Sequence, residues 1–408
     1  MRCRHCGNEL SIVFIDLGTA PPSNAYLESE DLRRPETWFP LRVLVCTECW
    51  LVQTEDYTAA EDLFSANYAY FSSYSDTWLA HAKKYVEMML PRFQLDDRSY
   101  VIEVGANDGY LLQYFREHGV PCLGIEPTQS TANAAREKGL EIIDGFFGRE
   151  MALDLAREGK HADLMVANNV LAHVPDINGF VSGFAELLKQ DGVVTFEFPH
   201  LLQLVSNNQF DTIYHEHYSY LSLTSVLRIL KKNGLTIFDV EELPTHGGSL
   251  RVFACKNTSD RFKPSNKVSD LLSREEDEGM ITIEYYSGFQ DKANKIKNDL
   301  LAFLLNAHRQ NKKVIGYGAA AKGNTLLNYA GIRSDLIVCV ADANPAKQGK
   351  FLPGNRIPVV KVEVIQQLHP DFVIIFPWNL KEEIMRDLSY IREWGGKFVL
   401  AVPEMMVI

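Results

Sequence analysis

The segment Asp211–Leu223 reads DTIYHEHYSYLSL and sets two histidines, a glutamate and three tyrosines side by side. Such side chains move or hold protons. Three readings of the cluster compete. His215 and His217 could bind a metal ion in an H-x-H pair, helped by His200 or His246. The cluster could be a satisfied polar interior with no chemistry. Or one histidine could be a general base, since an imidazole with an ordinary pKa of about 6.5 accepts a proton near neutrality. A neighbouring carboxylate would then orient it, and a phenol such as Tyr214 would hold a developing oxyanion. The third reading is preferred. If the segment is extended, His215 and His217 face one way and Tyr214, Glu216 and Tyr218 the other; in a loop that rule lapses.

A second constellation opens the chain. Cys3, Cys6, Cys46 and Cys49 form C-x2-C, a gap of 39 residues, then C-x2-C. Two thiolate knuckles complete the tetrahedral all-sulfur shell that Zn2+ prefers. Four protein ligands leave no open position, so the expected zinc is structural. Cys122, Cys255 and Cys339 stand singly in apolar runs and read as small buried hydrophobes.

The elements between these clusters must position them. DTWLAHAKKYVEMMLPRF has helical spacing from Asp76. A strand follows at Tyr100–Val104, then a Gly-bearing turn and a helix from near Tyr110. Strands CLGIEP, EIIDGFF, ADLMVANNVLAHV and VVTFEFP alternate with helices TANAAREKGL, REMALDLAREG and NGFVSGFAELLKQDG. That alternation predicts a parallel sheet with its ligand at the carboxyl ends of the strands. The first turn carries Glu103, Gly105 and Gly109 in E-x-G-x-x-x-G, and Glu126 ends the second strand, placed to accept from ribose hydroxyls. The spacing is not the G-x-G-x-x-G that a pyrophosphate favours. Asp144, Phe146 and Phe147 follow the third strand, where an adenine could stack. Asn168, Asn169 and His173 follow the fourth. Together these resemble the class I methyltransferase motifs for S-adenosylmethionine, with Asn107 where the commonest pattern has glycine.

The 408 residues, 46% hydrophobic and 23% charged, predict a folded chain of two or three domains. The net charge of −12 argues against a nucleic-acid binder. No early run reads as a membrane span or a signal core, so a cytoplasmic protein with reduced thiols is expected. The oligomeric state is left open, a monomer included.

The C-terminal third repeats the alternating theme. Asn257–Glu278 is polar and reads as a linker, and one long helix is expected over ITIEYYSGFQDKANKIKNDLLAFLLNAHRQNKK. Then KKVIGYGAAAKGNTLLNYAG gives a strand, a Gly–Ala turn and a helix. Gly316, Gly318, Gly323 and Lys322 suggest a phosphate-facing turn, and Asp342 a contact to a ribose or base. His246 and Arg251 in HGGSLR could line the same cleft, Arg251 against a pyrophosphate.

Taken together, CRHCG…CTECW, ANYAYFSSYSDTW, EVGANDGYLL, FEFPHLL, DTIYHEHYSYLSL, HGGSLRVF and IGYGAAAKGNTLLNY resemble the sugar C-methyltransferase family over essentially the full length. The resemblance implies an α/β protein in three parts: a zinc-binding module (1–60), a methyl-donor-binding, class I methyltransferase Rossmann-like domain (61–256) and a second Rossmann-like domain (257–408). It implies a nucleotide-linked 4-keto-deoxysugar substrate, typically dTDP-linked and methylated at C-3, with His217 as base, Tyr214 and Glu216 flanking it, and Tyr68 near the sugar. Two rivals remain: a metal-dependent sugar-nucleotide enzyme using the HEH cluster with a dinucleotide in the middle domain, and a sugar-nucleotide or methyl-donor sensor without turnover.

Overall fold

A computed structural model describes residues 1–57 and 71–408. Tyr68 lies outside the described residues. Three sheets organise the rest. Strands β1 (Ile12–Ala20), β2 (Phe39–Val45) and β3 (Val52–Thr54) form an antiparallel N-terminal sheet.

The middle region builds a seven-stranded sheet from β4 (Val101–Val104), β5 (Cys122–Glu126), β6 (Glu141–Asp144), β7 (Ala162–Asn168), β8 (Leu188–Pro199), β10 (Leu235–Leu243) and β11 (Ser249–Lys256). Their order is β10-β11-β8-β7-β4-β5-β6; the run β8 to β6 is parallel, and β11 is antiparallel to both neighbours. β4 is buried at all four positions, as a central strand covered on both faces must be. The preceding helix Asp76–Phe93 buries Trp78, Ala82, Tyr85, Val86, Met89 and Phe93, a stripe at helical spacing. The Ser75 side chain caps its N-terminus by accepting from Trp78 N, and Gln94 ends it in the left-handed region at φ 56°.

β9 (Ser219–Tyr220) leaves the middle region and completes the N-terminal sheet, pairing Val52 with Tyr220 and Gln53 with Ser219. The C-terminal sheet has the order β14-β13-β12-β15-β16-β17, with β12 (Val314–Tyr317), β13 (Val340–Ala341), β14 (Val359–Val360), β15 (Phe372–Ile375) and β16 (Lys397–Leu400) parallel and β17 (Met406–Val407) antiparallel.

The hydrophobic cores draw on more than one sheet. One core joins Phe14, Val43 and Val52 of the N-terminal sheet to Leu201, Phe210 and Ile213, and to Phe289, Leu300 and Leu327 of the C-terminal part. Phe14 stacks on Phe289 with ring centroids 4.6 Å apart.

Three expectations are corrected. The end of NGFVSGFAELLKQDG is not helix; β8 starts at Leu188, because pairing with β7 claims it. The long helix breaks at Gly288, which adopts φ 81° and divides Ile283–Tyr286 from Phe289–Arg309. The stretch read as a linker contains the helix Asn266–Asp277, whose Val268 and Leu271 join the middle core. Its Glu275 is fully buried. That carboxylate accepts from Leu223 N (2.7 Å), Thr224 N (2.8 Å), Thr224 Oγ1 (2.6 Å) and, at 2.7 Å, contacts His200 Nε2. It thus serves the N-terminal amides of the helix Leu223–Lys232, where a negative charge is favoured.

Among the described residues, no helix is long and apolar enough to cross a membrane. Glu275→Ala should lower unfolding stability by about 3 kcal/mol in urea titrations, because it orphans buried donors, and Glu275→Gln should lose less.

Candidate active site

A cavity of about 1400 Å³ lies between the middle and C-terminal sheets. The middle sheet contributes Gly105, Asn107, Glu126, Phe146, Asn168, Asn169 and His173; Tyr214, His217 and His246 line it from the following loops, and Lys322 and Lys347 from the C-terminal part.

On one side, the turn after β4 is bent around a carboxylate. Gly105 adopts φ 72°, where an added Cβ would also lie 2.5 Å from Val170 Cγ2. Asn107 takes φ 49°, a conformation that asparagine tolerates better than most residues, so the missing glycine does not open the turn. Its amide donates to Glu126 Oε2 at 2.8 Å, and its Oδ1 accepts from Ser72 N at 2.9 Å. Glu126 Oε1 accepts from Thr128 N and Thr131 Oγ1. Asn168, at the end of β7, is buried with neither side-chain amide atom hydrogen-bonded within the protein. Phe146 is half-exposed at the cavity edge.

On the other side, His217 faces the cavity. Its Nδ1 lies 2.8 Å from Thr212 O, which fixes the proton there and leaves Nε2 as the acceptor. Burial, with His173 nearby, holds its pKa well below 6.5, so the ring is neutral at pH 7. The Tyr214 ring lies 4.0 Å and the His173 ring 4.7 Å from it, centroid to centroid. His173 bonds Glu216 O through Nδ1 at 2.6 Å. Burial pushes His173 and His246 down to about 4. His246 is aimed by an unusual backbone, φ 53°, ahead of Gly247 and Gly248, and its Nε2 lies 3.3 Å from Asn169 Nδ2.

Several candidate residues lie elsewhere. Glu103 is fully buried beneath the turn, where desolvation drives its pKa well up, and Gly109 packs beside Leu140. Glu216 does not orient His217. Its Oε1 accepts from Asn24 N and Asn24 Nδ2, and the Thr212 carbonyl takes the orienting role expected of a carboxylate. Arg251 cannot meet a pyrophosphate: it is 1% exposed, held by Glu197 (2.6 Å) and Glu241 (2.8 Å) against the Tyr85 ring. Gly318 adopts φ 83° beside Pro377, and Asp342 accepts from Ala319 N and Asn344 N, so both shape the loop behind the cavity wall. His215 turns to Pro40 O and His200 to Glu275, so the histidines do not converge on a metal.

Sequence reasoning missed Lys347, whose isolated charge in a polar run gave no signal. It also missed Asp211 and Trp378, joined 2.7 Å apart across 167 positions of sequence.

The four cysteine sulfurs lie within 4.8 Å of one another. Cys3 and Cys49 Sγ are 3.5 Å apart and Cys6 and Cys46 Sγ 3.4 Å, close to the separation of about 3.8 Å that a tetrahedral ion with ~2.3 Å Zn–S bonds requires. Gln53 Nε2 donates to Cys3 Sγ at 3.2 Å, a contact that a thiolate favours. This donor set fits zinc.

The strand order, the carboxylate-anchored turn and the polar strand end define a class I S-adenosylmethionine-dependent methyltransferase fold. Three family models match the chain: "Putative zinc binding domain" over residues 3–64, "Methyltransferase domain" over 78–240 and "C-methyltransferase C-terminal domain" over 244–403. The C-methyltransferase NovU of Streptomyces niveus is 34% identical over 407 residues, covering 100% of this chain and 96% of that protein. The ubiquinone biosynthesis O-methyltransferase of Pasteurella multocida (strain Pm70) is 31% identical over 107 residues, 24% of this chain and 44% of that protein. The magnesium protoporphyrin IX methyltransferase structure from Synechocystis PCC 6803 aligns with TM-score 0.35 at 16% identity, covering 44% of this chain and 83% of that one. The chain belongs to the C-methyltransferase family.

Two measurements check this geometry. Elemental analysis should find zinc bound to the purified protein, and Cys46→Ser should lose it together with thermal stability. The buried imidazoles should make stability acid-sensitive. Below pH 6.5 the unfolded chain takes up protons that His173 and His246 refuse until about pH 4. Stability should therefore be full above about 6.5 and fall toward 4 in thermal melts, and His173→Gln should flatten that slope.

Proposed function

We propose that this C-methyltransferase acts on a nucleotide-linked 4-keto-deoxysugar, dTDP-linked and methylated at C-3, through an enolate formed by His217. The observation that carries the reading is the tautomer of His217, a residue that lines the cavity: Nδ1–H is committed to Thr212 O, which leaves Nε2 as the proton acceptor. A carbon nucleophile has to be made before methylation, and a carbon beside a ketone is the sort that a neutral imidazole can deprotonate.

Gly105, Asn107, Glu126 and Asn168 are the residues proposed to hold S-adenosylmethionine, with Phe146 at its adenine. The donor, when bound, supplies an electrophilic methyl group. His217 takes the proton from the carbon next to the ketone. Its depressed pKa keeps it in the accepting form across the neutral range, at some loss of basic strength. Tyr214, packed against it at 4.0 Å with the rings tilted by 32°, orients the ring at the sugar. The His173 ring closes the far side and excludes water. The four-cysteine cluster would hold zinc with every ligand position taken by the protein, and so would take no part in the reaction. The nucleotide is assigned to the C-terminal wall.

The relative named above is a C-methyltransferase over the full length, which supports carbon as the atom methylated here. The test is a mass-spectrometric assay in deuterium oxide with S-adenosylmethionine and a dTDP-4-keto-deoxysugar. Wild type should yield methylated sugar, and His217→Asn should lose at least about 100-fold in rate. Equal activity in the variant would overturn His217 as the base, and inertness of the wild type toward 4-keto sugar nucleotides would overturn the substrate class.

A further inference from the structure

The C-terminal part contributes an ammonium to the chemical end of the cavity. Lys322 lies in the first turn of the helix Ala321–Ala330 and lines the same cavity as Tyr214, His217 and His246. Its Nζ donates to Asn379 Oδ1 at 2.8 Å and sits 4.2 Å from the centre of the Trp378 ring. The Trp378 indole N–H in turn bonds Asp211 Oδ2 at 2.7 Å. Asp211 lies in the 3-10 turn Phe210–Thr212, whose last carbonyl orients His217. One chain of contacts thus runs from the ammonium to the base. The charge of Lys322 also bears on His217 and His246, depressing both.

Neither His217 nor His173 can do what this ammonium can, and neutral His246, whose Nε2 accepts from Asn169 Nδ2, brings no charge. His217 and His173 each spend Nδ1–H on a backbone carbonyl, so neither neutral ring has a second N–H to give. An enolate oxygen needs donors and positive charge. Of the other cations on the cavity wall, Arg149 is paired with Glu186, and Lys347 donates to Ala319 O at 2.9 Å. Lys322 gives one N–H to a neutral amide and keeps two for a ligand. The Trp378 face supports the cation without neutralising it.

We infer that Lys322 is a catalytic residue that binds the ketone oxygen of the sugar and stabilises the enolate, rather than a phosphate ligand. The inference rests on the enolate reading above. In the step it serves, His217 Nε2 accepts the α-proton. The C–H pair becomes the C=C bond, and the carbonyl π pair moves to the oxygen, whose new charge faces Lys322. Nothing is oxidised or reduced, and the proton passes from His217 to solvent. Burial lowers Lys322 to about 8, which leaves it largely charged at pH 7 while its charge stays poorly solvated.

The experiment follows exchange of the α-proton of a dTDP-4-keto-deoxysugar in deuterium oxide without methyl donor, at saturating sugar, alongside dTDP binding by calorimetry. Lys322→Met keeps the shape and removes the charge, and its melt and S-adenosylhomocysteine binding report folding. Expected are an exchange rate at least about 100-fold below wild type and a dTDP Kd within about threefold of it, with partial recovery of exchange in Lys322→Arg. A Kd raised tenfold or more with saturated exchange within threefold of wild type would identify a phosphate ligand and overturn the inference. If His217→Asn stops exchange but Lys322→Met does not, the base stands and the role of Lys322 falls. If the wild type itself does not exchange, the enolate reading fails and takes this inference with it.

Discussion

Two residues of strand pairing hold the site together. β9 is the continuation of the YHEH segment, and it completes a sheet made by the first 54 residues, Val52 against Tyr220 and Gln53 against Ser219. Thr54 reinforces the junction: its amide donates to Tyr218 O and its hydroxyl to His217 O. β3 follows directly on the second cysteine knuckle, so its position depends on the four sulfurs. An all-thiolate site with no open position can therefore matter to the cavity without lining it. It sets the strand that sets the backbone on which His217 stands, and pre-organisation of this kind is where much of an enzyme's advantage resides.

The cavity is electrostatically lopsided in a useful way. His173, His217 and His246 are kept neutral by burial, so each presents a tautomer chosen by its hydrogen bonds rather than a mixture of charge states. Behind them Glu197, the hub of His81 and Arg251, stays ionised: desolvation works against its charge, but those partners bring it down to about 2. Thr245 also donates to Glu197, which fixes the loop that turns His246 inward. A buried ion pair of this quality is costly to break on one side, and so the strained φ of His246 persists.

Local patterning made the middle domain readable. β4 and its turn announce themselves by an unbroken apolar run and by glycines at Gly105 and Gly109, where the chain needs positive φ. The cysteine knuckles were equally legible, because ligand spacing is a short-range property. What could not be read was long-range. Glu216 looked like the partner of His217 because it is adjacent in sequence, yet the loop sends it to Asn24, 192 positions away. Arg251 sits in a motif that suggests an anion site, but its strand position points it into the middle domain, where Glu197 awaits it. Lys322 lines the cavity; its sequence context suggested phosphate, while its neighbours in space, Asn379 and Trp378, lie more than 50 positions further along the chain.

The helix Asn266–Asp277 bears on how such proteins can be recombined. A border drawn where β11 ends, at Lys256, would leave the amides of Leu223 and Thr224 to whatever chain came next. Glu275 travels with the C-terminal piece in sequence but with the middle domain in space. A chimaera that exchanges the C-terminal part while keeping the middle domain therefore needs its seam beyond Asp277. Gly279, at φ 87°, already turns the chain there and carries no side chain to repack. The unit of exchange in this architecture is thus longer than its last strand, and the N-terminal module must stay with whichever parent supplies β9.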